Sequence, residues 1–316
     1  MGPRPPSPRL RAHHIGSLYS LGRLRGGVSS VTVRIDPHVH SEDSYDGHEP
    51  VELILEHAAD IGLDAVVITD HDTMGESKRA AELAPEYGLV GIPGVEVSTA
   101  DGHLLAIGVD RMPPRGESYA ATVSWIHDRG GVAVVPHPFQ RSRHGVRRRN
   151  IPLPRSDADE GDRSDGAGEV DEVDAIEVFN AWLFTGYRNR RARRFAALHG
   201  YPGVAASDAH HLNYVGRAFT ELTVRGRSSV DAVTAEDVLA AIREGTTSAS
   251  GKRAPVPMAA RHYLIAAGRK SGYYARTGAV RGATAAARAA VEAVSMTRVG
   301  LSQGVHRFGR ALSWFR

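Results

Sequence analysis

Val31-Thr32-Val33-Arg34-Ile35-Asp36-Pro37-His38-Val39-His40-Ser41 is the stretch that decides how this chain is read. Its first five residues are β-branched or apolar-rich and suit a short strand. The strand then runs into two histidines at i and i+2. In an extended chain those positions point the same way, so both imidazoles face one side of a strand end. Two neutral imidazoles held together make half of a divalent-metal site. A single His-x-His is common by chance. Here the same kind of residue recurs wherever a later strand should end.

Outward from that stretch, strand-like and helix-like segments alternate. A helix is expected from Val51, with Pro50 at its start and Gly62 closing it. Ala65–Thr69 reads as a strand buried on both faces, 75–87 as a helix and Leu89–Pro93 as a third strand. Val95–Ser98 and His103–Val109 read as an extra strand pair joined by Ala100-Asp101-Gly102. A helix over 117–129 leads to the strand Val132–Val135. The stretch 140–172 is irregular, Arg-rich and then acidic, and a loop of that length is usually functional or disordered. Val173–Phe179, Gly203–Ala206 and Ala218–Val224 read as strands, and 185–199 and 230–244 as helices. Repeated β-then-α units imply an α/β fold around a parallel sheet, open or closed into a barrel. Such sheets carry their sites at the carboxyl ends of the strands.

The candidate ligands fall at those ends or, for His103, at the opening of the neighbouring extra strand. They are His38 and His40 after the first strand, then Asp46 and His71, then Glu96 and His103, then His137, and last Asp208 and His210. Asp43 competes with Asp46, which is favoured by the Gly47 behind it. Asp36 is expected to orient an imidazole and Asp72 to cap a helix. His57, His127 and His199 read as ordinary helix residues. Asn180, at the end of the fifth strand, is a candidate substrate contact. So are Arg141 and Arg143, because a guanidinium is well shaped for phosphate.

The motifs Asp36-Pro37-His38-Val39-His40-Ser41, Thr69-Asp70-His71-Asp72, Gly94-Val95-Glu96, Pro136-His137-Pro138 and Ser207-Asp208-Ala209-His210 carry a resemblance. The chain resembles the polymerase-and-histidinol-phosphatase (PHP) superfamily of metal-dependent phosphoesterases over about 33–224. The resemblance implies a distorted (β/α)7 barrel with three divalent ions at the C-terminal ends of its strands. By that likeness His38, His40, Asp208 and bridging Glu96 hold the first ion and form the expected catalytic group. Glu96, His103 and His137 hold the second, and Asp46, His71 and His210 the third. The ions would be Mn, Zn or Fe, since the chain has no cysteine and must use nitrogen and oxygen donors. Clustered ions acidify water and offset the charge that develops on a phosphoryl group. The likeness points to nucleotides or the ends of short RNA as substrates, with a small metabolite such as histidinol phosphate as the alternative. Only 33 residues separate His103 from His137, which implies an open pocket.

Charge is divided along the 316 residues. Residues 1–30 hold five arginines and no acid, and read as a disordered leader or a misassigned start. Residues 252–316 hold 12 basic residues and one acid, Glu292. Between them, 22 basic and 35 acidic residues leave a net −13. The main domain is thus expected over 31–250. The Ala/Gly/Arg-rich tail from 251 could contact nucleic acid or an acidic surface, including a non-catalytic binding role. No apolar run approaches the roughly 18 residues of a membrane span, and no apolar leader is present, so a cytoplasmic location is expected.

Overall fold

The ten-residue strand β1 (Ser30–Val39) organises the first of two sheets. This computed structural model describes residues 29–140, 144–153, 171–182 and 186–255. Expectations for the leader, for Arg141 and Arg143, for 154–170 and for the tail beyond 255 lie outside them. β1 pairs in parallel with β2 (Ala65–Ile68) and antiparallel with a strand near the end of the domain, Ala218–Arg225. That late strand also pairs antiparallel with Thr247–Gly251. The second sheet runs in order through β3 (Gly94–Ser98), β4 (His103–Ile107), β5 (Val132–Val135), β6 (Ala175–Asn180) and β7 (Gly203–Ala206). Its first two pairs are antiparallel and its last two parallel. The late strands of the first sheet are β8 and β9. Helices α1 (Val51–Asp60), α2 (Gly75–Leu83), α3 (Tyr119–His127), α4 (Tyr187–His199) and α5 (Ala235–Arg243) fill the connections.

The two sheets meet along both edges. On one side Val39 bridges Ala209, and Thr220 Oγ1 donates to Ala205 O while accepting from Ala205 N, both at 2.9 Å. On the other, Ala65 bridges Val90 and His71 bridges Glu96. One apolar cluster draws on both sheets: Ile35 and Val67 from the first, Leu105, Val134 and Val204 from the second. Val238, Leu239 and Ile242 of α5 close its end. Each large side chain so buried contributes about 1.5–3 kcal/mol. A capping box fixes where α5 begins: Asp237 N donates to Thr234 Oγ1, and Thr234 N donates to Asp237 Oδ2.

Three expectations change. Leu89–Pro93 is not a strand: Pro93 has no N–H to offer, and Gly91 lies so close to Ala81 that an added Cβ would fall 2.0 Å from Ala81 O. The pair at 94–98 and 103–107 is itself part of the second sheet. β9 is a strand where none was expected, because Thr-Ser-Ala-Ser-Gly has no apolar alternation. The outcome is a mixed α/β fold of nine strands in two sheets, with four antiparallel pairs, among the described residues. No described helix is long and apolar enough to cross a membrane.

Candidate metal centre

Glu96 on β3 is fully buried, and imidazoles surround both of its carboxylate oxygens. Oε1 lies 2.7 Å from His103 Nδ1 and 3.0 Å from His137 Nε2. Oε2 lies 3.2 Å from His38 Nε2, 3.2 Å from His71 Nδ1 and 3.4 Å from His40 Nε2. Asp208 Oδ1 sits 3.6 Å from His38 Nε2 and 3.5 Å from His40 Nε2. Asp46 reaches His210 Nε2 at 3.2 Å and His71 Nε2 at 3.7 Å. All nine candidate ligands therefore converge.

Local structure explains the convergence. Pro37 and a register shift between Asp36 and Val39 end the regular β1–β2 ladder, and the His38 and His40 Nε2 atoms come within 3.1 Å. The Ser44–Gly47 turn folds back on this strand end so closely that a Cβ on Gly47 would lie 1.8 Å from Ser41 O. Ser44 Oγ links His40 Nδ1 (3.3 Å) to Asp46 Oδ1 (3.2 Å). Asp208 and His137 hold φ of +53° and +28°, a left-handed backbone that costs of order 1–3 kcal/mol at a non-glycine residue. Neighbours hold both in place. Trp182 Nε1 donates to Asp208 O, and the His137 N–H donates to Glu177 Oε2.

The donor set fits divalent ions. Two nitrogens each about 2.1 Å from one ion lie roughly 3.0–3.4 Å apart, and the His38–His40 spacing falls in that range. His71 Nδ1 is buried and, although 3.2 Å from Glu96 Oε2, makes no hydrogen bond of sound geometry, as a lone pair directed at an ion would. Four overlapping sets each gather ligand atoms within 4.8 Å: His40/Asp46/His71/His210, His38/His40/Glu96, His38/His137/Asp208 and His71/Glu96/His103. The expected third group, Asp46, His71 and His210, stands together in the first of these. Glu96 belongs to two sets, as do His38, His40 and His71.

Electrostatics in the protein alone follow from the same packing. Burial lowers the affinity of His40 for a proton, but Asp208 and Glu96 outweigh it and raise the pKa to about 9. For His71 burial prevails over Glu96 and Asp46, and its pKa falls to about 4. Glu96 is held well below the usual carboxylate range: burial acts to raise it, and His103, His71 and His38 overcome that. Ions would take the place of the protons on this cluster.

Sequence reasoning missed Glu177. This buried residue of β6 accepts from His38 Nδ1 at Oε1 (3.2 Å), and from His137 N and Asn180 Nδ2 (2.9 Å) at Oε2. A carboxylate can only accept, so it keeps the proton on His38 Nδ1 and leaves Nε2 free to ligate. The one signal was an acid inside the otherwise apolar run Ala175–Phe179.

Other assignments are corrected. Asn180 is fully buried and supports two carboxylates of the centre: its Nδ2 donates to Glu177 Oε2 and to Asp208 Oδ2 (3.0 Å). Asp36 accepts from Ser207 N (3.0 Å) and Gly216 N (2.9 Å) instead of an imidazole, tying β1 to the Asp208 loop. Asp72 accepts from Ser98 N and pairs with Arg115, while α2 starts after Met74 with no side-chain cap. Asp43 is engaged by Thr73 Oγ1 at 2.8 Å and belongs to none of the four sets.

Comparison with known proteins bears on this geometry. The PHP domain model matches residues 36–143, and the PHP-associated model matches 186–247. An uncharacterised protein of Methanocaldococcus jannaschii is 28% identical over 170 residues, 51% of this chain and 89% of that protein. A phosphoribosyl 1,2-cyclic phosphate 1,2-diphosphodiesterase of Eggerthella lenta is 38% identical over 85 residues, 25% of this chain and 32% of that protein. This chain thus spans about a third of the Eggerthella protein's length. A solved two-domain protein of Bacteroides vulgatus, described as containing a predicted PHP-like metal-dependent phosphoesterase, superposes with a TM-score of 0.51 at 20% identity. That superposition covers 71% of this chain and 66% of the other, and shows a shared fold. Two PHP models matched in order, over the segments that bring the candidate ligands around Glu96, make this chain a member of the PHP family.

Proposed function

We propose that this chain hydrolyses phosphate esters of nucleotides or RNA ends with metal-activated water. The observation that carries the reading is Glu96, with both carboxylate oxygens among five imidazoles. In the same reading the two sheets are halves of a distorted β/α barrel, and the nine candidate ligands hold three ions, Mn, Zn or Fe. When bound, such ions supply Lewis acidity towards the phosphoryl oxygens and a water of lowered pKa.

The chain's own groups do the rest. Glu96, Asp208 and Asp46 supply negative charge to a site whose other candidate ligands are imidazoles. Glu177 Oε1 fixes the proton on His38 Nδ1, and Ser44 Oγ does the same at His40 Nδ1, so both Nε2 atoms point inward. Trp182 packs edge-on against the His210 ring and is buried in one apolar cluster with Ala209 and Val39. No protein nucleophile is required. The name of the Eggerthella lenta relative supports a phosphodiester within the substrate range.

The test is a turnover panel on manganese-loaded protein: a nucleoside 3′,5′-bisphosphate, a 5′-phosphorylated oligoribonucleotide and histidinol phosphate. Hydrolysis of either of the first two is expected, and hydrolysis of histidinol phosphate alone would favour a small-metabolite phosphatase. Glu96→Gln should lower kcat/KM more than about 100-fold and reduce metal per chain, because losing a shared ligand exceeds the usual effect of an outer-shell change. Full metal loading without turnover of any substrate would sink the proposal.

A further inference from the structure

A stack of rings runs through the centre from the interior to the surface. Trp182, 1% exposed, meets the His210 ring nearly edge-on at 6.2 Å. His210 stacks on His40 at 4.3 Å, and His40 lies 4.6 Å from His71. His71 stacks on Tyr45 at 4.8 Å with 16° between their planes. Three of the five rings are candidate ligands, and Tyr45 is the outermost, 56% exposed.

The chain around Tyr45 is pinned. Ser44 and Asp46 on either side are buried and joined to each other and to His40. Tyr45 alone among the three turns outward. A tyrosine that served only to brace His71 would gain most by burying its own ring. Leaving over half of it in water forgoes that gain and keeps aromatic surface at the outer end of the stack.

We propose that Tyr45 stacks against the planar base of a nucleotide substrate, extending the stack by one ring. The inference rests on the phosphoesterase reading above and adds which organic group the site recognises. Phosphate charge is handled inside the cluster, and the Tyr45 ring offers the base a partner of matched shape just outside it. Stacking of a base on an aromatic side chain is worth about fivefold to tenfold in affinity at the low end, which suits a partner covered on one face.

The experiment is calorimetric binding to manganese-loaded protein. The ligands are adenosine 5′-methylenephosphonate and the matching ribose methylenephosphonate, which lacks the base; neither has an ester bond to cleave. Metal per chain is measured in the same samples. Wild-type protein should prefer the adenosine compound by at least about fivefold. Tyr45→Phe should keep that preference, and Tyr45→Leu should bring the ratio towards one at unchanged metal content. An unchanged ratio in Tyr45→Leu overturns the inference. So does loss of metal in that variant alone, which would make Tyr45 a brace for His71. Equal binding of both ligands by wild-type protein also overturns it, and leaves the phosphoesterase reading to stand on its own turnover test.

Discussion

Glu177→Gln changes one atom type, leaves volume untouched and should impair the metal centre from outside it. The three groups that meet Glu177 all donate: His38 Nδ1 at Oε1, and His137 N and Asn180 Nδ2 at Oε2. A glutamine has one accepting end and one donating end. With its amide nitrogen towards Oε2, two donors face a third, and at least one buried N–H loses its acceptor at about 1–3 kcal/mol. With the nitrogen towards Oε1, His38 must accept at Nδ1 and carry its proton on Nε2, the atom aimed at His40 and Glu96. Metal would then compete with that proton. Loss of an outer-shell partner of this kind lowers metal affinity about 10- to 100-fold, or roughly 1.4–2.7 kcal/mol. A chelator-competition titration reads the affinity, and thermal unfolding with and without chelator separates it from stability. A folded Glu177→Gln protein within twofold of wild-type affinity and of unchanged stability would refute the reasoning.

Two further outcomes are expected. Gly47→Ala would place a Cβ on Ser41 O and push the Asp46 turn off the strand end, so melting temperature and metal per chain should both fall. The cost is about 1–3 kcal/mol, as for other overpacked sites, and an unchanged melt would argue that the turn has slack. His127 lies far from the centre and donates to Asp174 at 2.8 Å; that bond raises its pKa, with partial burial opposing. Its stabilising effect is complete below the unfolded value of about 6.5 and fades as pH climbs through the raised folded value. His127→Gln should therefore cost about 0.5–1 kcal/mol in urea unfolding at pH 6 and less at pH 9. A gap independent of pH would show that the pair is not the cause.

His38, His40, His71, His137 and His210 were legible because each lies just beyond a short apolar run, and a chain leaving a strand has few places to go. All nine candidate ligands converge as the motif order implied. The partners that hold them were much less legible. Glu177 and Asn180 lie on β6 between β5 and β7, and only that strand order buries them and aims them at His38 and Asp208. Asp36 illustrates the same limit. It stands two residues before His38, yet its carboxylate serves the Ser207 and Gly216 amides more than 170 positions later. Sheet count also escaped local reading: β9 is made of small polar residues, and it exists because β8 offers it a free edge.

The seams between the two sheets gain a second meaning from where the candidate ligands sit. His38, His40 and His71 leave the first sheet, whereas Glu96, His103, His137, Asp208 and His210 belong to the second or follow it. Among the described residues, the backbone along those edges contributes isolated bridges and single hydrogen bonds instead of a continuous ladder. Each ion taken up across the join would act as a rivet, adding about 2.7 kcal/mol at a hundredfold excess over its dissociation constant. Chelation would then act first as a loosening of one half-shell against the other, before either sheet lost its own ladder.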